Sequence, residues 1–304
     1  MPAPAHPASG GARQVQPLLV TICGLYGRGD RPAITVSGLL RLVAGLGVEE
    51  GAARSALSRL KKRGVLVSDR ADGAAAYRLD PALEDVFAEG DERIFGHRRA
   101  VPGDPWVLAA FSVPESQRHL RHRLRKVLAG RGFGAVGGGL WIAPEHGLPH
   151  LRHELEREGL AEFVELFRAA PVGDDVASKV ADWWDLDALG GRYAAFTAEF
   201  EPVRERWAAA RGEAAAPADA AHTHSDAAAF ADYVRLLTAW RRLPFLDPGL
   251  PVEYLPAGWA GVAAEQLFTS LHERLSSRAA RRAAWALGDP PRAGRAGRVT
   301  PRGA

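Results

Sequence analysis

The residues best suited to do chemistry lie between positions 52 and 63. In Ala52-Ala53-Arg54-Ser55-Ala56-Leu57-Ser58-Arg59-Leu60, apolar positions 53, 56, 57 and 60 recur at the i, i+3, i+4, i+7 spacing of one helix face. The opposite face then carries Arg54, Ser55, Ser58, Arg59 and Lys62, with Lys61 beside them. Short hydroxyls among guanidinium groups let a helix enter a groove ~12 Å wide and offer donors to base edges and phosphates. Residues 51–70 hold six Lys or Arg against a single acid, Asp69. Arg70 and Arg78 flank Asp72-Gly73, a hairpin-turn dipeptide, and would reach an adjacent phosphate or the minor groove from there. A solvated basic helix is the plain alternative for this segment alone. Its position between other helical patterns and a two-strand wing favours double-stranded DNA.

Other clusters have equally plain alternatives. Residues 116–131 contain no acid but carry Arg118, Arg121, Arg123, Arg125, Lys126 and Arg131 with His119 and His122. They read either as a phosphate-binding surface for coenzyme A or a second DNA contact, or as the solvated face of a helix buried through Leu120, Leu124, Val127 and Leu128. Six Trp (183, 184, 207, 240, 259, 285) crowd the C-terminal part with Tyr193, Tyr233 and Phe245. With Arg192, Arg241 and Arg242 they would line a pocket for an aryl group and its acyl-CoA handle, or else fill helix–helix cores. His146, His150 and His153 have no Cys nearby, and metal sites usually want a fuller ligand set, so surface histidines are expected and no metal. No dinucleotide fingerprint, phosphate loop or nucleophile elbow is present, and Gly137-Gly138-Gly139 lacks the helix such a fingerprint needs. No convergent acid, base and nucleophile is visible, so an enzyme is not expected.

The elements that must position these residues follow from periodicity and breakers. A helix is expected from Pro17 to about Leu25, a second from Val36 to Leu46 with Ser37 near its start, and a third from Glu49 to Arg63 stopped by Gly64. Val65-Leu66-Val67 and Tyr77-Arg78-Leu79 around Asp72-Gly73 make a hairpin, completing a winged helix-turn-helix over 15–88. Residues 101–175 then read β-α-β-β-α-β: strand 106–113, helix from Pro114, Gly-rich hairpin 132–142, helix 148–158, strand 163–167. This order suits a ferredoxin-like domain. The strand 106–113 holds no acid, and Asp104 and Glu115 lie beyond its ends, so metal-assisted nuclease chemistry is not expected. From 176 to 287 the pattern is helical, interrupted by an Ala, Pro and His-rich loop at 211–224. Residues 1–14 and 288–304 are expected to be disordered. The fold class is therefore α+β.

The chain has 304 residues, 47% hydrophobic and 25% charged, with a formal net charge of +3, so overall charge alone identifies no partner. Lys occurs only at 61, 62, 126 and 179; nearly all positive charge is Arg. One Cys, Cys23, excludes an intrachain disulfide and suits a reducing compartment. No apolar run approaches the ~18 residues of a membrane span, and the first 14 residues do not resemble a secretory signal. A cytoplasmic protein without membrane contact is expected.

Several word-like strings resemble the PaaX family of bacterial repressors: Leu19-Val20-Thr21 with Tyr26-Gly27-Arg28, Val36-Ser37-Gly38-Leu39-Leu40, Arg54 to Leu60, Gly132-Phe133, Leu140-Trp141-Ile142-Ala143-Pro144, Trp183 to Leu186 with Tyr193 and Phe196, and Pro244-Phe245-Leu246-Asp247-Pro248. They run in the family's order across about residues 17–285. The resemblance implies a homodimeric winged-helix regulator with a Cas2-like central module and a helical C-terminal domain, released from its operator by phenylacetyl-CoA in the best-known members. Carried over, it implies an operator duplex and an aryl-CoA effector as partners and no resident cofactor; from the residues themselves, Arg192, Tyr193, Arg241 and Arg242 are the candidate effector contacts. The alternative is an acyl-CoA-binding protein or small-molecule enzyme whose winged helix is only structural. An RNA-binding role lacks an aromatic signature on the sheet.

Overall fold

The computed structural model describes residues 11–29, 33–96, 98–170, 176–209 and 224–288. Most of the expected disordered ends and nearly all of the expected loop 211–224 lie outside these residues. The described chain divides into two compact units, one within Met1–Phe87, Phe200–Thr238 and Leu267–Ala304, the other within Ala88–Glu199 and Ala239–Gln266.

The first unit is built on α1 (Gly11–Tyr26), β1 (Ala33–Thr35), α2 (Val36–Ala44), α3 (Glu50–Lys62), β2 (Leu66–Ala71) and β3 (Ala74–Leu79). Leu19 and Ile22 of α1, Leu39 and Leu42 of α2, and Leu57 and Leu60 of α3 are buried together with Ile34 and Leu66. The sheet is antiparallel in the order β1-β3-β2, which is winged-helix topology. One expectation needs correction. Helix α1 starts at Gly11, so Pro17 lies inside it instead of opening it, and part of the segment 1–14 is helical. The chain before Pro17 is helix-compatible and buries Val15, which outweighs the ladder bond that proline cannot make. The cap of α2 is Thr35, whose Oγ1 accepts from the Gly38 N–H at 3.1 Å, and Ser37 lies in the first turn as expected, donating to Thr35 Oγ1 at 3.3 Å.

Parts of α8 (Leu186–Ala209), α9 (His224–Trp240) and α11 (Ala260–Leu287) complete this unit. Arg235 donates to the Leu46 carbonyl (3.0 Å), Arg41 to that of Ala286 (2.8 Å), and the Thr21 and Thr238 hydroxyls meet at 2.8 Å. The carboxylate of Asp226, 3% exposed, is gripped by Arg281 through two bonds of 2.9 and 3.0 Å. A side chain at Gly38 would come within 2.8 Å of Leu287, so glycine lets α2 approach the end of α11.

The second unit contains β4 (Trp106–Phe111), α5 (His119–Gly130), β5 (Gly134–Gly137), β6 (Leu140–Pro144), α6 (Leu148–Arg157) and β7 (Val164–Ala169). The antiparallel order β5-β6-β4-β7 puts the first and third strands of the β-α-β-β-α-β run at the centre, which is the ferredoxin-like arrangement. Leu124 and Leu128 of α5 and Leu151 and Leu155 of α6 bury one face of the sheet through Val107, Ala109 and Ala143. On the other face Trp106 meets Trp183, Trp184 and Tyr254 with ring centroids 6.3–6.5 Å apart. A Cβ at Gly134 would lie 2.6 Å from the Trp184 ring, so this close approach requires glycine. The unit also takes in α7 (Val176–Trp183), α10 (Leu243–Leu246) and part of α4 (Glu84–Phe95).

Candidate nucleic-acid interface

Helix α3 buries Ala53, Ala56, Leu57 and Leu60, the four positions its spacing assigns to the core. The remaining turn of surface carries Arg54, Ser58, Arg59, Lys61 and Lys62 exposed and Ser55 half-buried. The helix ends sharply. Gly64, at φ +71°, donates to the Lys61 carbonyl and Val65 to that of Leu60, each at 3.0 Å, which is a Schellman closure. Arg63 reaches back to Gln16 Oε1 at 3.2 Å, tying this end to α1.

The cations of the face differ in what holds them. Arg54 is paired with Glu50, one turn earlier, at 2.7 Å, with both side chains more than half exposed. Among the described residues, no hydrogen bond or ion pair engages the side chains of Ser58, Arg59, Lys61 and Lys62. Glu50 in the first turn and three cations in the last also suit the helix dipole, so part of the pattern supports the helix itself.

The wing is a two-residue hairpin. Asp72 (φ 51°) and Gly73 (φ 77°) both take the left-handed conformation that a type I′ turn demands. Arg70 crosses the turn to the Gly73 carbonyl at 2.8 Å. Arg78 is drawn to Asp69 Oδ2 at 3.1 Å, a diagonal cross-strand pair, since Asp69 stands opposite Ala76. The structure thus brings six of the eight sequence-predicted DNA contacts onto one helix and the other two onto the strands that follow it.

The four predicted effector contacts are not alike. Arg192 and Arg242 are exposed, Arg241 is half-buried and Tyr193 is buried. The Tyr193 hydroxyl donates to Asp247 Oδ2 at 2.7 Å, and burial followed by the nearby Asp247 charge pushes its pKa well up. Asp247, 1% exposed at its side chain, also receives Arg99 at 2.8 Å and the Gly249 N–H at 2.8 Å. Tyr193 is therefore part of an internal clamp that sequence reasoning did not assign. Beside it, Arg93 donates to the Pro244 and Arg131 carbonyls (2.9 and 3.3 Å) and stacks over Phe245, while Arg131 pairs with Glu89 and Glu154. The Pro244 to Pro248 string supplies three of the groups these arginines hold.

The remaining candidates have ordinary partners. Asp104 accepts from the Val101 N–H at 3.0 Å and Glu115 pairs with Arg121 at 2.9 Å. His150 Nδ1 lies 3.5 Å from Glu89, yet burial, then the Arg131 and Arg93 charges, lower its pKa. Among the described residues no group of three His, Cys, Asp or Glu is arranged to hold a metal ion, and no helix is long and apolar enough to cross a membrane.

Comparison with known proteins places the three regions in one family. Residues 14–82 match the description "PaaX-like protein", 100–181 "PaaX protein central Cas2-like domain", and 184–284 "PaaX-like protein C-terminal domain". The chain is 28% identical over 264 residues to the transcriptional repressor PaaX of Escherichia coli, covering 84% of this chain and 79% of that protein. The fold is similar to that of uncharacterized protein Rv0674 from Mycobacterium tuberculosis, with a TM-score of 0.57 and 24% identity over 90% of this chain and 97% of that one. By sequence across all three regions, this chain belongs to the PaaX family of transcriptional regulators.

Proposed function

We propose that the protein is a cytoplasmic, homodimeric repressor that reads operator DNA with α3 and is released by an aryl-CoA thioester. DNA-binding regulation, without enzymatic turnover, is the part that family membership supports directly. The observation that carries the reading is the outward face of α3, where Ser58, Arg59, Lys61 and Lys62 stand exposed on a helix anchored by its opposite side. Two such helices, one per protomer, would enter successive major grooves about 34 Å apart on a near-palindromic site. Phosphate contacts set the salt dependence, and Arg54, Ser55, Ser58 and Arg59 supply base selection. Arg70 and Arg78 on the wing add backbone or minor-groove contacts.

An effector weakens DNA binding only by favouring a dimer arrangement whose helices no longer fit the half-sites. Arg192, Arg241 and Arg242 are the groups assigned to its phosphates; Tyr193, engaged with Asp247, would act by position and not by contact. The test begins with duplexes selected from a random pool by the wild-type protein. Replacing Arg59 by Ala should weaken binding to them by about 1–3 kcal/mol and reduce the salt slope by about one. Affinity and slope identical to wild type would remove α3 from the interface. Sedimentation of the free protein checks the dimer, and titration with phenylacetyl-CoA checks release.

A further inference from the structure

We infer that the outer face of α5 is a second DNA-backbone contact, so that the protein grips phosphates through its ferredoxin-like module as well as through α3. The inference rests on the DNA-binding reading above and adds a surface to it. Not every cation of this helix is free to serve. Arg121 is held by the Val113 carbonyl (3.0 Å) and Glu115, Arg123 by Glu158 (2.8 Å), and Arg131 by Glu89 and Glu154. What remains is a row: Arg118, His122, Arg125 and Lys126, at i, i+4, i+7 and i+8, all exposed and without an ion-pair partner among the described residues.

This row does not serve the helix. The first turn of α5 has no acid and its cap is Arg118, so positive charge sits at the positive end of the helix dipole. Arg125 and Lys126 also lie four and three residues from Arg121 and Arg123, spacings at which like charges repel. An arrangement unfavourable to its own element points outward to an anion. Its shape selects the class of anion. The row climbs about 12 Å along a helix surface at ~1.5 Å per residue, and its side chains diverge. A small molecule such as free coenzyme A needs donors converging on a concave site. Phosphates of one duplex strand rise ~3.4 Å each along the axis while winding around it, so two or three of them lie within reach of the row.

The test uses the full-length protein and a 40-base-pair duplex of random sequence, followed by fluorescence anisotropy from about 50 to 200 mM salt. The triple variant Arg118→Gln/Arg125→Gln/Lys126→Gln should lose roughly two to three from the salt slope and about tenfold or more in affinity at the lowest salt. The charge-keeping variant Arg118→Lys/Arg125→Lys should retain the wild-type slope. An iron chelate carried on Ala129→Cys, an exposed position on the same face, should cut the bound duplex. A triple variant with wild-type slope and affinity, or a tethered chelate that leaves the duplex intact, overturns the proposal. If Arg59→Ala/Lys62→Ala still lowers the slope in that event, the DNA reading stands and only the α5 contact falls. Wild-type protein that binds no duplex at low salt would overturn both.

Discussion

Arginine is put to opposite uses on α3 and in the interior of the second unit. Arg93, Arg99 and Arg131 are shielded from water, and each is met by carboxylates or backbone carbonyls: Arg99 by Asp247, Arg131 by Glu89 and Glu154, Arg93 by the Pro244 carbonyl. On α3, Arg59, Lys61 and Lys62 face solvent with no such partner among the described residues. A buried charge without a partner would be strongly destabilising, so the interior arginines must be paired for the fold to persist. An exposed charge carries no such requirement, and a face full of them is available to a partner from outside. The same residue type therefore marks structure in one region and recognition in the other.

Substitutions should separate these uses. The largest effect is expected from Asp247→Ala, which strands Arg99 and the Tyr193 hydroxyl; unfolding in urea should show a loss of about 3–5 kcal/mol. Arg131→Ala, which removes the cation shared by Glu89 and Glu154, should fall in the same range. By contrast, Arg59→Ala/Lys62→Ala should leave urea unfolding within about 0.5 kcal/mol of wild type while reducing duplex affinity at low salt by tenfold or more. If the α3 double variant lost as much stability as either interior variant, the distinction would dissolve.

A smaller effect tests the interior by pH. Burial, then the Arg131 and Arg93 charges, hold the His150 pKa below 6.5, and burial lowers that of His272. Both histidines are thus more easily protonated in the unfolded chain. Stability from this source is complete above pH ~6.5 and is lost as the pH falls below it toward the folded-state values. The melting temperature should decline from pH 7 to pH 5.5, and His272→Gln, which can still bond the Tyr233 hydroxyl, should flatten the decline. The smallest effect concerns Arg54. Glu50→Gln releases it from a 2.7 Å pair and removes a negative charge beside the proposed phosphate path, so duplex affinity should rise a fewfold with little change in stability. Cys23, buried with its thiol pushed up to about 12, should resist alkylation in the native protein and react on unfolding.

The readability of these features in the sequence follows how locally each is encoded. The face of α3 was legible because four apolar residues at helical spacing fix which side is buried, and the wing because Asp72-Gly73 specifies its own turn. Strand β1 was not, being three residues long and formed only by pairing with β3, more than 40 positions later. Helix α1 was misread at its start because proline is favoured at a first turn, whereas burial of Val15 decides the matter. The Asp247 clamp joins residues 148 and 54 positions apart, and no periodicity announces such a contact. The Pro244 to Pro248 string stood out as a family word before the structure gave it a physical role. The free row on α5 could be suspected from composition, but only coordinates separate its paired arginines from its unpaired ones.

DNA recognition by this protein rests most on the outward side of α3. Neutralising it in one variant, Arg54→Gln/Arg59→Gln/Lys61→Gln/Lys62→Gln, and comparing duplex binding with wild type at low salt tests this directly, with a melting curve on the same sample. The predicted result is loss of selective duplex binding with a melting temperature lowered by no more than a few degrees. A variant that melts like wild type and still selects the same duplexes with the same affinity would contradict it.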